Sequence, residues 1–282
     1  SGTDISLLHP DEITAYVMEY CEAIRSGRKI ACIELKQAVE RFFSDLERPE
    51  FDFRPKDAEF VIQIIEKTIC HQQGEALDGT PLRGTPFLLQ PFHKFIIYNL
   101  LGFYGAGTDV KRFHEALIFI PRKNVKTSFA AALAWALSLL YRRSGSKTYI
   151  VSAAMQQSLE AFNFIDYNIK HMGEDAAHGG SIKVTNNINT HRISYQQDGE
   201  SFYIQPLAAN PDAQDSLNCN ICIADEIHAY KQPKQYNLFK EAMKAYTNKL
   251  LIGITTAGDN EQSFLGRRLS ESDYNGSHRY CI

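Results

Sequence analysis

The sequence predicts an α/β fold in which a mostly parallel sheet is flanked by helices on both faces, with a helical N-terminal extension. From Phe87 onward, short apolar runs typical of strands alternate with longer helical patterns. This alternation favours a parallel sheet covered on both sides. Three of the apolar runs also end in polar residues, and the carboxyl ends of strands are where an open α/β sheet builds its site.

The first part of the chain predicts helices that pack beside this sheet. Apolar residues recur at helical spacing over residues 12–26, 33–46 and 56–70. Gly27 ends the first helix, and Pro49 and Pro55 separate the second from the third. Glycine, proline and polar residues over 74–86 indicate a loop. We therefore predict a helical accessory region over 1–80 and a core over 81–282.

Within the core the predicted elements alternate in type. In order they are a helix over 92–103, a strand over 116–120, a helix over 127–141, a strand over 148–152 and a helix over 156–171. Short strands follow within 180–205, for example at 192–195 and 201–205, and then a strand over 221–224, a helix over 236–246 and a strand over 250–255. The helix over 127–141 is apolar on nearly all sides, which predicts that it is buried.

Composition excludes several classes of protein. With 282 residues, 44% of them hydrophobic, the chain can form a large domain with a real core and is not globally disordered. A net charge of −3 argues against a basic protein that wraps nucleic acid, so any DNA contact needs a local patch. No signal peptide and no apolar run of about 20 residues is present, which predicts no membrane span. Cys219 and Cys222 have metal-like spacing but lack a second pair, which favours small buried residues.

A phosphate-binding site is indicated where the apolar run 116–120 leads to the buried helix. Lys126 and Thr127 open that helix, where a lysine can reach phosphates, a hydroxyl can bind Mg²⁺ and the helix N-terminus adds partial positive charge. The glycines of the usual pattern would fall on Ile120 and Val125, and a β-branched residue at positive φ is strained. Taken alone, this segment is a weak signal and favours the alternative of a solvated helix cap.

Two later strand ends complete the pattern. Asp225 and Glu226 end one apolar strand, where an aspartate can organise Mg²⁺ and a glutamate can polarise the attacking water. Thr255 and Thr256 end the next and fit a polar sensor of the nucleotide. The structural alternative for Asp225 and Glu226 is a helix cap with a surface charge. For Thr255 and Thr256 it is the preference of threonine for β-strands. Lys-Thr, Asp-Glu and Thr-Thr in this order predict a P-loop NTPase of the ASCE type that hydrolyses ATP.

The loop before the lysine carries further positive charge. The Arg122 guanidinium could reach the γ-phosphate and stabilise the charge that spreads over it during transfer. A surface arginine that faces solvent is the alternative.

Together these motifs resemble the large terminase subunit of the HK97-type family, the ATP-driven motor that packages DNA into tailed-phage heads. The similarity spans nearly the whole chain, and the combination is specific although no single piece is. The stretches that carry it are 16–27, 42–46, 86–103, 121–128, 224–228 and 254–258.

The resemblance implies ATP as substrate, Mg²⁺ as its metal and a role for each matching position. Implied as catalytic are Glu226, Arg122 and Lys126, and as metal ligands Thr127 and Asp225. Implied in ATP binding are Arg122, Lys123, Asn124, Val125, Lys126, Thr127 and Ser128. Thr255 and Thr256 would couple hydrolysis to motion.

Two positions depart from the family pattern. Val125 stands where the family usually has glycine. Phe92 and His93 stand where the family often has Trp-Gln, with the glutamine reading adenine. Either His93 replaces that contact, or Gln90 supplies it from a shifted position.

The resemblance also implies partners. These are double-stranded DNA, the portal and the small terminase subunit, and no membrane is involved. The chain would form a homo-oligomeric ring when docked, and a monomer in isolation is the alternative. The place of action would be the host-cell cytoplasm during phage assembly. The family's C-terminal nuclease domain is expected to be absent from this chain, because no paired Asp/Glu set on predicted strands follows Gly258. Glu271 and Asp273 lie in a polar segment and predict solvated charges. No nuclease activity is expected from it.

Small basic clusters are the candidates for DNA contact. They are Arg142, Arg143 and Lys147, then Lys231 and Lys234, and finally Arg267 and Arg268. Phosphate contacts alone suffice for a motor that does not read sequence. Two other functions stay open: a helicase-like DNA translocase, and a nucleotide-binding assembly module that does not hydrolyse ATP.

Overall fold

A computed structural model describes residues 10–120, 126–209, 218–226, 233–255 and 279–281. Its helices are α1 (Pro10–Arg25), α2 (Ile33–Glu47), α3 (Lys56–Thr68), α4 (Pro91–Gly102), α5 (Lys126–Leu140), α6 (Met155–His171) and α7 (Pro233–Ala242). Its strands are β1 (Phe51–Phe53), β2 (Phe103–Gly105), β3 (Glu115–Phe119), β4 (Ser146–Ser152), β5 (Lys183–Asn186), β6 (His191–Gln197), β7 (Glu200–Ala208), β8 (Ile221–Asp225), β9 (Leu250–Thr255) and β10 (Arg279–Cys281).

The central sheet has the order β10-β3-β9-β8-β4-β7-β6-β5. Its strands are parallel from β10 to β7, while β6 and β5 continue it as antiparallel strands. The predicted mostly parallel sheet flanked by helices is therefore confirmed. The prediction missed β1, β2 and β10, which have three residues each and offer too few positions for an alternating pattern. It expected short strands within 180–205, where β5 lies, but did not locate that strand.

Both faces of the parallel part are covered. Because side chains alternate along a strand, Ile118, Ile223 and Ile252 join the large core beneath α5, while Leu117 and Leu251 join a smaller core with Phe239 of α7. Helix α6 packs beside α5 on the same side. Among the described residues, Tyr203 and Leu207 of β7 pack against the smaller core, whereas no residue of β5 or β6 does.

The N-terminal helices lie against α4 and α5. Phe42 of α2 meets Phe95 and Phe103 edge to face, with ring centroids 5.8 Å apart in both pairs. Trp135 of α5 donates its Nε1–H to Thr68 of α3 at 3.0 Å. Helix α5 is thus enclosed between the sheet and this helical layer, which explains why it is apolar all round. The proposed division near residue 80 stays a prediction.

The helical layer also buries charged pairs. Arg112 forms an ion pair with Asp45, and their side chains are 3% and 2% exposed. Lys94 lies 3.4 Å from Glu66, and both are buried. Aromatic rings adjoin these cations: the Arg112 guanidinium is 4.2 Å from the Phe51 ring centroid. Among the described helices, none combines the length and apolarity that a bilayer crossing requires.

Candidate nucleotide site

Parallel strands bring the candidate residues to one edge of the sheet. Phe119, which ends β3, pairs in register with Thr255 at the end of β9, and Asp225 at the end of β8 pairs with Ile254. The three strand ends therefore lie side by side. Helix α5 begins at Lys126, shortly after β3 in the chain, so its N-terminus returns to the same edge.

Lys126 joins the two carboxylates that the sequence singled out. Its Nζ lies 3.5 Å from Oδ1 of Asp225, and it also forms an ion pair with Glu226. The side chains of Lys126 and Asp225 are 8% and 4% exposed, whereas Glu226 is 25% exposed. Burial lowers the pKa of the lysine, and the negative charge of Asp225 opposes that shift. One ammonium group thus faces two carboxylates in a mostly buried site.

Glu226 has an unusual backbone conformation. Its φ is +54°, in the left-handed region that non-glycine residues rarely adopt. Its N–H still donates to the carbonyl of Ile254 at 2.9 Å, so the hydrogen-bond ladder of β8 and β9 holds it there. The turn breaks the alternation of the strand, with the result that two consecutive carboxylates both reach Lys126. Such strain is common at functional sites.

Thr255 belongs to the same edge. It is fully buried, and its carbonyl accepts the N–H of Ile120 at 2.9 Å, which continues the β3–β9 pairing beyond the strands. Thr127 and Ser128, in the first turn of α5, are partly exposed. Arg122, Lys123, Asn124, Val125 and Thr256 lie outside the described residues, so their predicted roles stay predictions.

At the start of α4, Gln90 and His93 differ in access. Gln90 is exposed, whereas His93 is 1% exposed and stacks on Phe129 of α5 at 4.3 Å between centroids. Nδ1 of His93 accepts the N–H of Gln90 at 3.1 Å. Burial, assisted by Lys94, lowers the pKa of His93 to about 3, so the ring is neutral and can accept that bond. His93 therefore holds the backbone of Gln90 in place.

Sequence reasoning missed Ser152, which ends β4 beside the carboxylate strand. It is fully buried, and its Oγ has no hydrogen-bond partner within the part of the chain that the structure describes. Val151 pairs with Ala224, which places Ser152 at the level of Asp225. The signal available in the sequence was that the run 148–152 is another apolar strand that ends in a hydroxyl.

The basic candidates for DNA contact separate into different environments. Arg142 and Arg143 both pair with Glu200, at 2.9 and 3.6 Å. Lys147 lies at the amino end of β4 and lines a groove. Lys231, Arg267 and Arg268 fall outside the described residues, as does the side chain of Lys234.

Cys219 and Cys222 are both buried with free thiols, in agreement with the interpretation as small core residues. Within the described ranges, no group of three or more His, Cys, Asp or Glu side chains is placed to hold a metal ion. Mg²⁺ can bind through one or two carboxylates together with substrate phosphates.

Comparison with known proteins identifies relatives. The family described as terminase large subunit, ATPase domain, matches residues 91–273. Among curated proteins, no sequence matches significantly.

Similar solved structures are phage large terminases. That of bacteriophage HK97 is 21% identical with a TM-score of 0.57, and the alignment covers 79% of this chain and 43% of that one. An ATPase-domain variant from Thermus phage P74-26 is 13% identical with a TM-score of 0.44, covering 62% and 76% of the two chains. The large terminase of a thermophilic bacteriophage in complex with ADP is 9% identical with a TM-score of 0.48, covering 63% and 42%. The chain thus spans less than half the length of the HK97 protein.

Proposed function

The chain belongs to the family of the terminase large-subunit ATPase domain, and from this membership we propose that it hydrolyses ATP to move double-stranded DNA into a procapsid. The observation that carries the proposal is the meeting of Lys126 with Asp225 and Glu226 at the carboxyl edge of the sheet. A lysine at a helix N-terminus binds phosphate, and adjacent carboxylates serve the metal and the water of a phosphoryl transfer.

The residues at this edge fit a magnesium ion. Carboxylate and hydroxyl oxygens from Asp225 and Thr127 are hard ligands, and two carboxylates against one ammonium leave excess negative charge for a cation. When bound with ATP, the metal would neutralise charge on the β- and γ-phosphates.

Each carboxylate has its own role in this proposal. Asp225 is nearly enclosed, and its carboxylate would be the metal ligand. Glu226 is one-quarter exposed, so water can reach it. It would hold the attacking water and take its proton. Lys126 would leave the carboxylates for the phosphates, because phosphate offers it more negative charge.

Gln90 is the better of the two candidates for reading adenine. Its amide offers one donor and one acceptor, which match N7 and N6 of adenine. It is exposed, while His93 is buried and holds the Gln90 backbone.

The remaining roles rest on sequence. Arg122 would stabilise charge on the transferring phosphoryl group, and Thr255 with Thr256 would couple hydrolysis to movement. The portal, the small terminase subunit and a homo-oligomeric ring would be the partners, in the host-cell cytoplasm during phage assembly.

The test is steady-state ATP hydrolysis measured against protein concentration with Mg²⁺ present and Glu226→Gln as the blank. We expect turnover above the blank, with a specific rate that rises as neighbouring copies associate. Nucleotide binding without any turnover, even with DNA and at high protein concentration, would favour an assembly module instead.

A further inference from the structure

A second concave site lies at the other end of β4. It is a groove of about 560 Å³ formed by the amino end of β4 and by strands β5, β6 and β7, with Tyr246 after α7. The charged residues and tyrosines of its lining are Lys147, Lys183, Arg192, Tyr195, Tyr203 and Tyr246, and the lining also includes Phe202 with glycine, serine, threonine and glutamine residues. Every lining residue is described, and none of them is a carboxylate.

The sheet register explains how residues distant in sequence meet there. Lys147 pairs with Tyr203, Tyr203 with Ser194, and Ser194 with Lys183, so these four side chains form one row across β4, β7, β6 and β5. Three strand spacings separate the two lysines, roughly 14 Å. That distance spans on the order of four nucleotide steps of a DNA strand.

Arg192 adds a third cation on the same face, two residues from Ser194 along β6. Its guanidinium lies 4.2 Å from the ring centroid of Tyr203, a contact that orients the group while leaving it exposed. For Lys147, Lys183 and Arg192, no ion pair is found within the described ranges. Arg142 and Arg143 differ because Glu200 pairs with both.

Hydrogen bonds hold the backbone at the base of the groove. The N–H of Lys147 donates to the side chain of Asn220 at 2.8 Å, and the N–H of Asn220 donates back to the carbonyl of Lys147 at 3.2 Å. Tyr203 packs near Tyr149 beneath it, with ring centroids 6.2 Å apart. The basic side chains therefore project from a fixed backbone row.

We propose that this groove binds the phosphate backbone of double-stranded DNA. The positive charge of the lining indicates a phosphate ligand, and the choice of DNA as the source of that phosphate rests on the proposed function. Unpaired cations in a row bind phosphates without reading bases, which suits a protein that moves along DNA. Lys147 and Ser152 lie five residues apart on β4, about 17 Å, so the groove is separate from the nucleotide edge.

The test uses the 282-residue chain and a labelled 30-base-pair duplex of random sequence in fluorescence anisotropy, over a series of salt concentrations. The variant carries Lys147→Gln, Lys183→Gln and Arg192→Gln. A matched control removes three exposed lysines from the helical layer, with Lys29→Gln, Lys36→Gln and Lys67→Gln. Lys183→Gln alone is the second variant, because Lys183 is exposed and we expect its replacement to preserve the fold.

We expect the groove variant to bind DNA at least about 10-fold more weakly than the control, with the slope of log affinity against log salt reduced by about 1 for each phosphate that the variant no longer binds. Lys183→Gln should reduce the slope by about 1. Basal ATP turnover should be unchanged in all of them, which separates this inference from the nucleotide site. Equal DNA affinities of the groove variant and the control would overturn the proposal, as would an unmodified chain that shows no salt-dependent DNA binding. A groove variant that still binds DNA but no longer binds an acidic protein would also overturn it.

Discussion

Basic side chains are buried against carboxylates in two regions of this chain, and the two arrangements differ. In the helical layer, Arg112 meets Asp45 and Lys94 meets Glu66, and aromatic rings adjoin the cations. At the edge of the sheet, Lys126 faces two carboxylates at once, and the second of them has a strained backbone.

This difference distinguishes ion pairs that stabilise the fold from a group of charges that can take part in a reaction. Each pair of the helical layer matches one cation with one carboxylate: Lys94 of α4 pairs with Glu66 of α3, and Arg112, in the loop before β3, pairs with Asp45 of α2. The group around Lys126 has excess negative charge and a partly exposed carboxylate, so a cation and a phosphate can complete it. A buried ion pair alone therefore says little about function; the stoichiometry of charge and the backbone strain are informative.

The largest effect is expected from Glu226→Gln. Turnover of ATP should fall by about 10²- to 10⁴-fold, because the amide cannot accept the proton of the attacking water. Nucleotide affinity should change little, since Lys126 and Asp225 remain. Stopped-flow binding and steady-state hydrolysis measure the two effects separately. Glu200→Gln, a carboxylate on β7, is the control; persistent turnover in Glu226→Gln would reject its role.

In the helical layer, Asp45→Asn should act on stability instead. It leaves the Arg112 guanidinium buried without its carboxylate, which costs about 3–5 kcal/mol of unfolding free energy. Urea denaturation measures this change. The turnover of the molecules that remain folded should match the unmodified chain, and a selective loss of turnover at full stability would erase the distinction between the two regions.

Because His93 is buried and neutral, we predict that the free energy of unfolding depends on pH, with an effect smaller than that of Asp45→Asn. Its pKa is about 3 in the folded chain and near 6.5 when unfolded, so below pH 6.5 only the unfolded chain gains the proton. Stability is therefore lost as pH falls from 6.5 toward 3, by about 2 kcal/mol between pH 6.5 and 5.0 from this group. Urea denaturation at both pH values should show that loss, and His93→Gln should show a loss smaller by this amount. Identical pH dependence in both chains would contradict the burial argument.

The smallest effect is expected when a whole structural pair is replaced. Lys94→Met alone should destabilise the chain, but Lys94→Met with Glu66→Leu should recover most of that loss and end within about 1 kcal/mol of the original, because no unpaired charge remains. A thermodynamic cycle of the two single variants and the double variant checks this. A double variant as unstable as the sum of the single ones would show that the ion pair itself is needed.

The sequence predicted the parts of the site that follow from topology. Parallel strands that end in Asp225 and Thr255 must share an edge, and Lys126 at the start of a buried helix must return to it. Neighbours that depend on long-range register could not be predicted. Lys147 and Lys183 share one row of the sheet only because β7 and β6 lie between their strands. Asp45 forms an ion pair with Arg112, which is distant in sequence. Ser152 was missed because a single terminal serine has no distinguishing pattern. The left-handed backbone of Glu226 depends on tertiary hydrogen bonding, which no local propensity records.

The comparison of two buried lysines tests the nucleotide site most directly. The affinity for a fluorescent ATP analogue with Mg²⁺ would be measured for Lys126→Met and for Lys94→Met, two changes of identical chemistry. We predict that Lys126→Met weakens binding by about 100-fold, because the phosphates then lack their buried ammonium partner, while Lys94→Met stays within about twofold in the folded fraction. Equal affinities in the two variants would contradict the assignment of Lys126, Asp225 and Glu226 as the site of ATP.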